Sequence, residues 1–331
     1  MKSIILFGGS GFVGTHLVPY ILKKFDRIFI ADIKNPCWHS GTTLPESDKI
    51  EFVPCDVSKS IGKNMFSGTV ECIINLAAVH TSPGHKAKEY FDVNIHGAKN
   101  ICEYAERVNC DRIVFTSSIS VYGPGEDEKS EDIIPMPAIP YGSSKIIAEY
   151  IHREWFYRAT GRRKLTILRP GVIFGKGEGG NFTRIANALE RGMFSYPGRI
   201  DTIKACLYVK DICKFISETL EKESGLEIFN FCYPEKITLQ QIVKTFKKVL
   251  GYRAPEIVVP YSIIRGVAAC LNIIPLPSIK QMGLVPERIV KLIRSTNISS
   301  EKLIQSGFSF QFSFEEALRD WGMDCGGRSL Y

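Results

Sequence analysis

Six short apolar runs punctuate the first half of the chain, and most are followed by stretches of helical periodicity. SIILF (3–7) is β-prone and leads through a glycine turn into apolar positions at helical spacing from Phe12 to Phe25. RIFIAD (27–32), KIEFVPCD (49–56) and ECIINLAA (71–78) read as the next strands. A helical stretch from about Lys86 to Val108 leads to DRIVFTSS (111–118), and a helix over Tyr141 to Thr160 precedes KLTILRP (164–170). The strand runs are continuously apolar rather than alternating, as expected when helices cover both faces of a parallel sheet. The predicted fold class is therefore α/β, a doubly wound parallel sheet. After Pro170 the order loosens into glycine-rich loops (GKGEGG, 175–180) with short helices and strands mixed. This predicts a domain built on that sheet over residues 1–170 and a smaller C-terminal lobe over 171–331, with some later segments returning to the sheet.

Composition narrows the partners. The 44% hydrophobic and 23% charged fractions of this 331-residue chain are those of an ordinary soluble domain. The net charge of +7 is scattered, and its densest run is GRRK (161–164), so no basic stripe for nucleic acid is expected. Ten cysteines include no CxxC pair, and several sit in apolar runs, such as Cys72. They read as small buried hydrophobes in a reducing compartment. MKSIILFGG passes from one lysine straight into a strand, unlike a secretory leader, so a cytoplasmic location is expected. Residues 261–277 are apolar but are interrupted by Arg265, Pro275 and Pro277. They fall short of the ~20 apolar residues of a span and read as a packed helix, peripheral membrane contact being the alternative. No metal site is expected. His80 and His85 flank one loop, as sugar contacts or as loop and capping histidines.

Candidate chemistry begins at FGGSGFVG, where Gly8, Gly9, Gly11 and Gly14 lie between the first strand and the first helix. Glycines there permit a tight turn and close approach of a pyrophosphate, and the helix start at Phe12 and Val13 offers unpaired N–H groups. Asp32 ends the second strand and can accept from both ribose hydroxyls, favouring NAD over NADP. Asp56 and Val57 follow the third strand, either facing the adenine side or starting a helix.

Two pairs carry a lysine four positions after a tyrosine: Tyr20–Lys24 and Tyr141–Lys145. The first lies well beyond the phosphate turn. The second follows the fifth strand, and ligands of doubly wound sheets bind outside the carboxyl ends of the strands. A free phenol titrates near ~10. A lysine one turn away and a positive nicotinamide would lower that value, leaving a phenolate able to take an alcohol proton. Ser118 would donate a hydrogen bond to the same oxygen.

GGSGFVG, Asp32, NLAAVH (75–80), DVNIHGAKN (92–100), TSSISVYG (116–123), YGSSK (141–145) and LRPGVIFG (168–175) occur in an order that resembles the extended short-chain dehydrogenases/reductases. The similarity is greatest to the UDP-galactose 4-epimerase group of sugar-nucleotide enzymes. The resemblance implies a Rossmann-type domain, a small substrate lobe, tightly held NAD and a triad of Ser118, Tyr141 and Lys145. It implies cofactor contacts at Leu76, Ala77, Ala78 and Lys145. Asn94 matches an asparagine near the active site, with helix packing as its alternative role. It also implies substrate contacts at His80, Asn181 and Lys204, the last replacing an arginine that faces the diphosphate. A homodimer through the helix starting at Tyr141 is implied as well.

The expected reaction is 4-epimerisation of a nucleotide-diphosphate sugar, UDP being the expected carrier, through a 4-keto intermediate with NAD recycled. Such enzymes serve polysaccharide biosynthesis. A 4,6-dehydratase is disfavoured because Ile119 and Ser120 stand where those enzymes carry an acid pair. Val172 replaces a common asparagine and argues for a sugar other than plain galactose or glucose, such as an N-acetylated one. The alternatives are a keto-sugar or sterol-type reductase, and a non-catalytic NAD-binding scaffold.

Overall fold

A computed structural model of the chain describes residues 1–35, 44–81, 84–222, 225–263, 266, 293–327 and 329–330. The chain runs through β1 (Lys2–Phe7), α1 (Phe12–Ile21), β2 (Arg27–Asp32), β3 (Ile50–Pro54), β4 (Thr69–Asn75), α2 (Ala87–Tyr90), α3 (His96–Arg107), β5 (Arg112–Thr116) and β6 (Gly125–Lys129). It continues through α4 (Pro140–Tyr157), β7 (Lys164–Pro170), β8 (Val172–Phe174), α5 (Asn181–Glu190), β9 (Ser195–Pro197), β10 (Cys206–Tyr208) and α6 (Val209–Thr219). The remaining elements are β11 (Leu226–Phe231), α7 (Leu239–Leu250), β12 (Ile257–Val259), β13 (Thr296–Ile298), α8 (Glu301–Gln305) and α9 (Phe314–Asp324).

Seven strands form one parallel sheet in the order β11–β7–β5–β4–β1–β2–β3. The chain builds outward from β1 in one direction, then returns and builds from β4 in the other. The carboxyl ends of β1 and β4, where Phe7 lies opposite Asn75, thus form a topological switch point. Alternate residues supply the two faces: Ile4, Leu6, Ile28 and Ile30 join one core, and Ile5, Phe7, Phe29 and Phe115 the other. Both faces are covered, which is why the strands read as unbroken apolar runs. β3 is an edge strand, and Glu51 there is exposed.

The helix predicted from Lys86 to Val108 is interrupted by a π turn at Phe91–Ile95. Asn94 lies in that turn, and its amide bridges to the main chain of Val79 and to Ser144. The helix expected from Tyr141 begins one residue earlier, because Pro140 fits the first helical position without losing a bond.

Outside the main sheet lie three short parallel pairs, β8–β10, β9–β12 and β6–β13, the last joining residues before Pro170 to residues far beyond it, while β11 joins the main sheet beside β7. Of the apolar segment 261–277, only 261–263 and 266 are among the described residues, so the packed helix expected there lies outside them. Among the described residues no helix is long and apolar enough to cross a membrane. Seven described cysteines are buried free thiols, the role expected for them; Cys325 is partly exposed.

Candidate active site

The glycine turn is built by close approach. Gly8 has φ +75°, and a Cβ there would lie 2.6 Å from the Ala77 Cα. A Cβ on Gly14 would lie 2.3 Å from the Gly9 carbonyl oxygen. Gly11 differs, because its Cβ would meet only the Gly8 oxygen, at 3.3 Å, and otherwise open space. The first hydrogen bond of α1 runs from the Thr15 N–H to the Gly11 oxygen at 3.0 Å, so the N–H groups of Phe12, Val13 and Gly14 precede it. Asp32 reaches this turn from β2, its Oδ2 accepting from the Ser10 N–H at 3.1 Å. Leu76, Ala77 and Ala78 are half-buried beside Gly8, and the Leu76 N–H donates to the Phe7 oxygen at 2.8 Å. These groups form a cradle at the switch point, open on the Gly11 side.

Asp56 and Asn94 sit differently. Asp56 accepts from the Ser58 N–H at 3.0 Å and from its hydroxyl at 2.6 Å, and these bonds hold its carboxyl below the ordinary range. These bonds organise a turn after β3. Val57 is buried beneath α3, where a Cβ on Gly97 would come within 2.9 Å of it. Asn94 is buried with both ends of its amide engaged by Val79 and Ser144.

Serine and tyrosine do meet. A Cβ on Gly142 would lie 2.3 Å from the Ser120 oxygen, so the start of α4 packs directly on the 3-10 turn Ile119–Tyr122. That contact sets Tyr141 beside Ser118, whose side chain favours the phenolate and whose Oγ accepts from the Ser120 N–H at 3.1 Å. Ser117, the preceding residue in extended chain, faces the other way and donates to Glu149 at 2.5 Å. The ring of Tyr141 lies 6.0 Å from that of Tyr90.

Lys145 departs from expectation. Its ammonium donates to the Thr116 oxygen at 2.8 Å and lies 4.9 Å above the Phe115 ring. Burial pushes the lysine down to about 7, with Glu149 pulling the other way. The phenol of Tyr141 is pushed up to about 12, mainly by desolvation and against the bond from Ser118. The Lys145 ammonium is turned toward the β5 carbonyl, and burial governs both groups.

The substrate-side candidates are more spread out. His80 is exposed after β4, whereas His85 pairs with Glu89 at 2.8 Å on the surface. Asn181 is exposed as the first residue of α5, a helix start closed by Glu178 accepting from the Thr183 N–H at 3.0 Å. Lys204 is half-buried, donates to the Arg294 oxygen at 2.8 Å, and is pushed down to about 7 by burial. It precedes β10, next to the chain leaving β7: a Cβ on Gly171 would lie 2.6 Å from the Ala205 oxygen. The other pair, Tyr20–Lys24, ties α1 to α6 through Lys24 to the Ser217 oxygen at 2.8 Å and Ser217 to the Tyr20 oxygen at 3.0 Å. Among the described residues no set of three or more His, Cys, Asp or Glu side chains could hold a metal.

One buried group escaped the sequence reading: the ion pair of Glu149 and Arg169, 2.6 Å apart. Its signal was present as a carboxylate eight residues after Tyr141, on the same face of α4.

A doubly wound parallel sheet with a glycine turn at its switch point, and serine, tyrosine and lysine grouped after its fifth strand, defines an extended short-chain dehydrogenase/reductase. The chain belongs to the NAD dependent epimerase/dehydratase family, whose pattern matches residues 4–232. NAD is the cofactor of that family. Over 96% of this chain and 93% of the relative, it is 29% identical to the N-acetyl-α-D-glucosaminyl-diphospho-ditrans,octacis-undecaprenol 4-epimerase of Escherichia coli O157:H7. In fold it is similar to a UDP-glucuronic acid 4-epimerase from Bacillus cereus solved with NAD (TM-score 0.76, 19% identity, 98% and 99% of the two chains). It is equally similar to a dTDP-glucose 4,6-dehydratase from Bacillus anthracis solved with NAD (TM-score 0.74, 19% identity, 98% and 96%). Fold alone therefore does not separate the two reactions.

Proposed function

We propose that this protein is an NAD-dependent 4-epimerase of a sugar linked through a diphosphate to a nucleotide carrier. The observation that carries this reading is Ser118 set beside Tyr141 and followed by a turn without a carboxylate: Ile119 is buried and Ser120 is neutral. That equipment suffices to move one proton, whereas elimination of water calls for a further acid and base.

The cradle fits NAD. The open side of Gly11 and the free N–H groups of Phe12 and Val13 would hold the pyrophosphate, and Asp32 the ribose hydroxyls. When bound, NAD supplies the acceptor for hydride from the sugar carbon and its return. Tyr141 takes the proton of the sugar hydroxyl and gives it back, and Ser118 holds that oxygen in place. Burial keeps the phenol protonated at neutral pH, and a cation brought against it lowers its pKa. Lys204 and Asn181 would anchor the diphosphate while the 4-keto sugar turns.

A second reading concerns the carrier. The Escherichia coli relative is named for a lipid diphosphate and matches nearly the whole chain, which supports a polyprenyl carrier and an N-acetylhexosamine. Val172, apolar where a polar contact is common, supports the same sugar.

The test is to release and identify bound nucleotide from purified protein, then supply UDP-GlcNAc, UDP-glucose and GlcNAc-diphospho-undecaprenol separately. Copurified NAD with gluco/galacto interconversion and no net NADH is expected. Net consumption or production of NADH would instead mean a reductase or dehydrogenase, and a 4-keto-6-deoxy product a dehydratase. For the cofactor itself, Asp32→Ser is expected to weaken NAD about tenfold or more, by loss of charge-assisted bonds, and to narrow the preference over NADP. Calorimetric titration with both cofactors checks this.

The exposed Ile147, Tyr150 and Tyr157 on α4 support a homodimer through that helix, and the buried free thiols support a reducing, cytoplasmic setting. Light scattering on the purified protein decides the oligomer.

A further inference from the structure

Behind Tyr141, α4 carries a second charged layer that the proposed reaction does not use. Tyr141, Lys145 and Glu149 follow at intervals of about one turn and so line one face of the helix. Glu149 is 0% exposed. Arg169 of β7 grips both of its oxygens, Nε to Oε1 at 2.9 Å and Nη2 to Oε2 at 2.6 Å, and Ser117 donates to Oε1 at 2.5 Å. The remaining arm of Arg169 donates to the Tyr122 hydroxyl at 2.6 Å, which donates to Asn230 Oδ1 at 2.8 Å. The carboxylate is thus fixed from the two strands that flank it.

Around Lys145 the other groups are neutral. The Thr116 oxygen and the Phe115 ring face it from β5. His152 stacks on Phe115 at 4.2 Å, bonds the Ala148 oxygen and Asn75, and is pushed down to about 4 by burial. Tyr141 keeps its proton at neutral pH. Among the described residues, Glu149 is the anion acting on Lys145, and Arg169 is the cation behind it. A buried ion pair adds little net stability compared with apolar residues of the same volume. Stability alone therefore gives no reason for three bonds to converge on a carboxylate one turn from this lysine.

We propose that Glu149, clamped by Arg169 and Ser117, is a positioning residue that keeps Lys145 protonated inside the sheet and so sets the alkaline limit of cofactor binding. The inference rests on reading Lys145 as part of the NAD site. The sign follows from the geometry. Burial favours the neutral amine and the carboxylate opposes it, so removing the negative charge makes Lys145 lose its proton at lower pH.

The test is NAD affinity as a function of pH for the full-length, nucleotide-stripped protein, comparing wild type, Glu149→Asp and Glu149→Gln, with epimerisation rates beside it. The midpoint of the alkaline loss of affinity is expected to move about one pH unit to the acid side in Glu149→Gln, about tenfold in affinity above that midpoint. Glu149→Asp, whose carboxylate sits farther back, is expected to move the same way by less. A role in packing alone would lower affinity or Tm by the same factor at every pH with the midpoint unmoved, and that result would overturn the proposal. If Glu149→Gln does not fold, Glu149→Asp decides: an unmoved or alkaline-shifted midpoint overturns it. Should the wild type bind NAD with this pH limit yet epimerise none of the sugars, the functional reading fails while this inference stands.

Discussion

Tyr141→Phe is expected to lower epimerisation by about a thousandfold or more while leaving bound NAD and thermal stability near wild type. The size follows from what is removed. A positioned general acid–base group contributes ~10²–10⁴ in rate, and a thousandfold loss corresponds to about 4 kcal/mol of transition-state stabilisation. The specificity follows from the packing. The ring can remain at its 6.0 Å contact with Tyr90, and α4 still seats on the turn at Ser120 through Gly142. Ser118 keeps the bond from the Ser120 N–H, so no new buried donor is orphaned on the main chain. The measurement is the rate of gluco/galacto interconversion, with NAD content and Tm recorded on the same preparation. Retained turnover would remove Tyr141 from the reaction and revive the reading of a non-catalytic NAD-binding protein. A parallel loss of NAD would instead make Tyr141 part of the cradle.

The strands were legible because burial on both faces leaves no polar alternation to blur them: Arg27–Asp32 and Lys164–Pro170 form over the residues predicted. The glycine turn was legible for a similar reason, since close approach at Gly8 and Gly14 admits no side chain. The charge states in the site were not legible. Spacing showed that Lys145 lies one turn from Tyr141, but not that its ammonium would turn to the Thr116 carbonyl, or that desolvation would govern both groups. Those outcomes depend on β5 and β7, strands distant in sequence whose register sets what faces the helix. Asn94 shows the same limit. Its residue type suited either role, and its spacing does not show that its amide bonds the loop at Val79.

Gly14→Ala and Gly11→Ala are expected to weaken cofactor binding by different routes. At position 14 the added methyl would lie 2.3 Å from the Gly9 oxygen and 2.6 Å from its carbonyl carbon, all rigid backbone. Helix and turn must separate, so a loss of about 2 kcal/mol or more is expected from overpacking, together with loss of the preformed N–H cradle. Displacement of such a site by about 1 Å can cost ~10² in function, so NAD affinity is expected to fall about a hundredfold or more. At position 11 the methyl meets only the Gly8 oxygen, at 3.3 Å, so the fold is expected to hold its Tm. Yet that methyl would occupy the open side on which a pyrophosphate must approach the main chain, and NAD affinity is expected to fall without a stability change. Gly161→Ala, which meets nothing within 4 Å, serves as the neutral control. Titration with NAD and thermal melts on the three variants separate these cases. Wild-type affinity in Gly11→Ala would place the pyrophosphate elsewhere than the α1 N-terminus, whereas wild-type affinity and Tm in Gly14→Ala would show that the helix–turn contact is not what holds the cradle open.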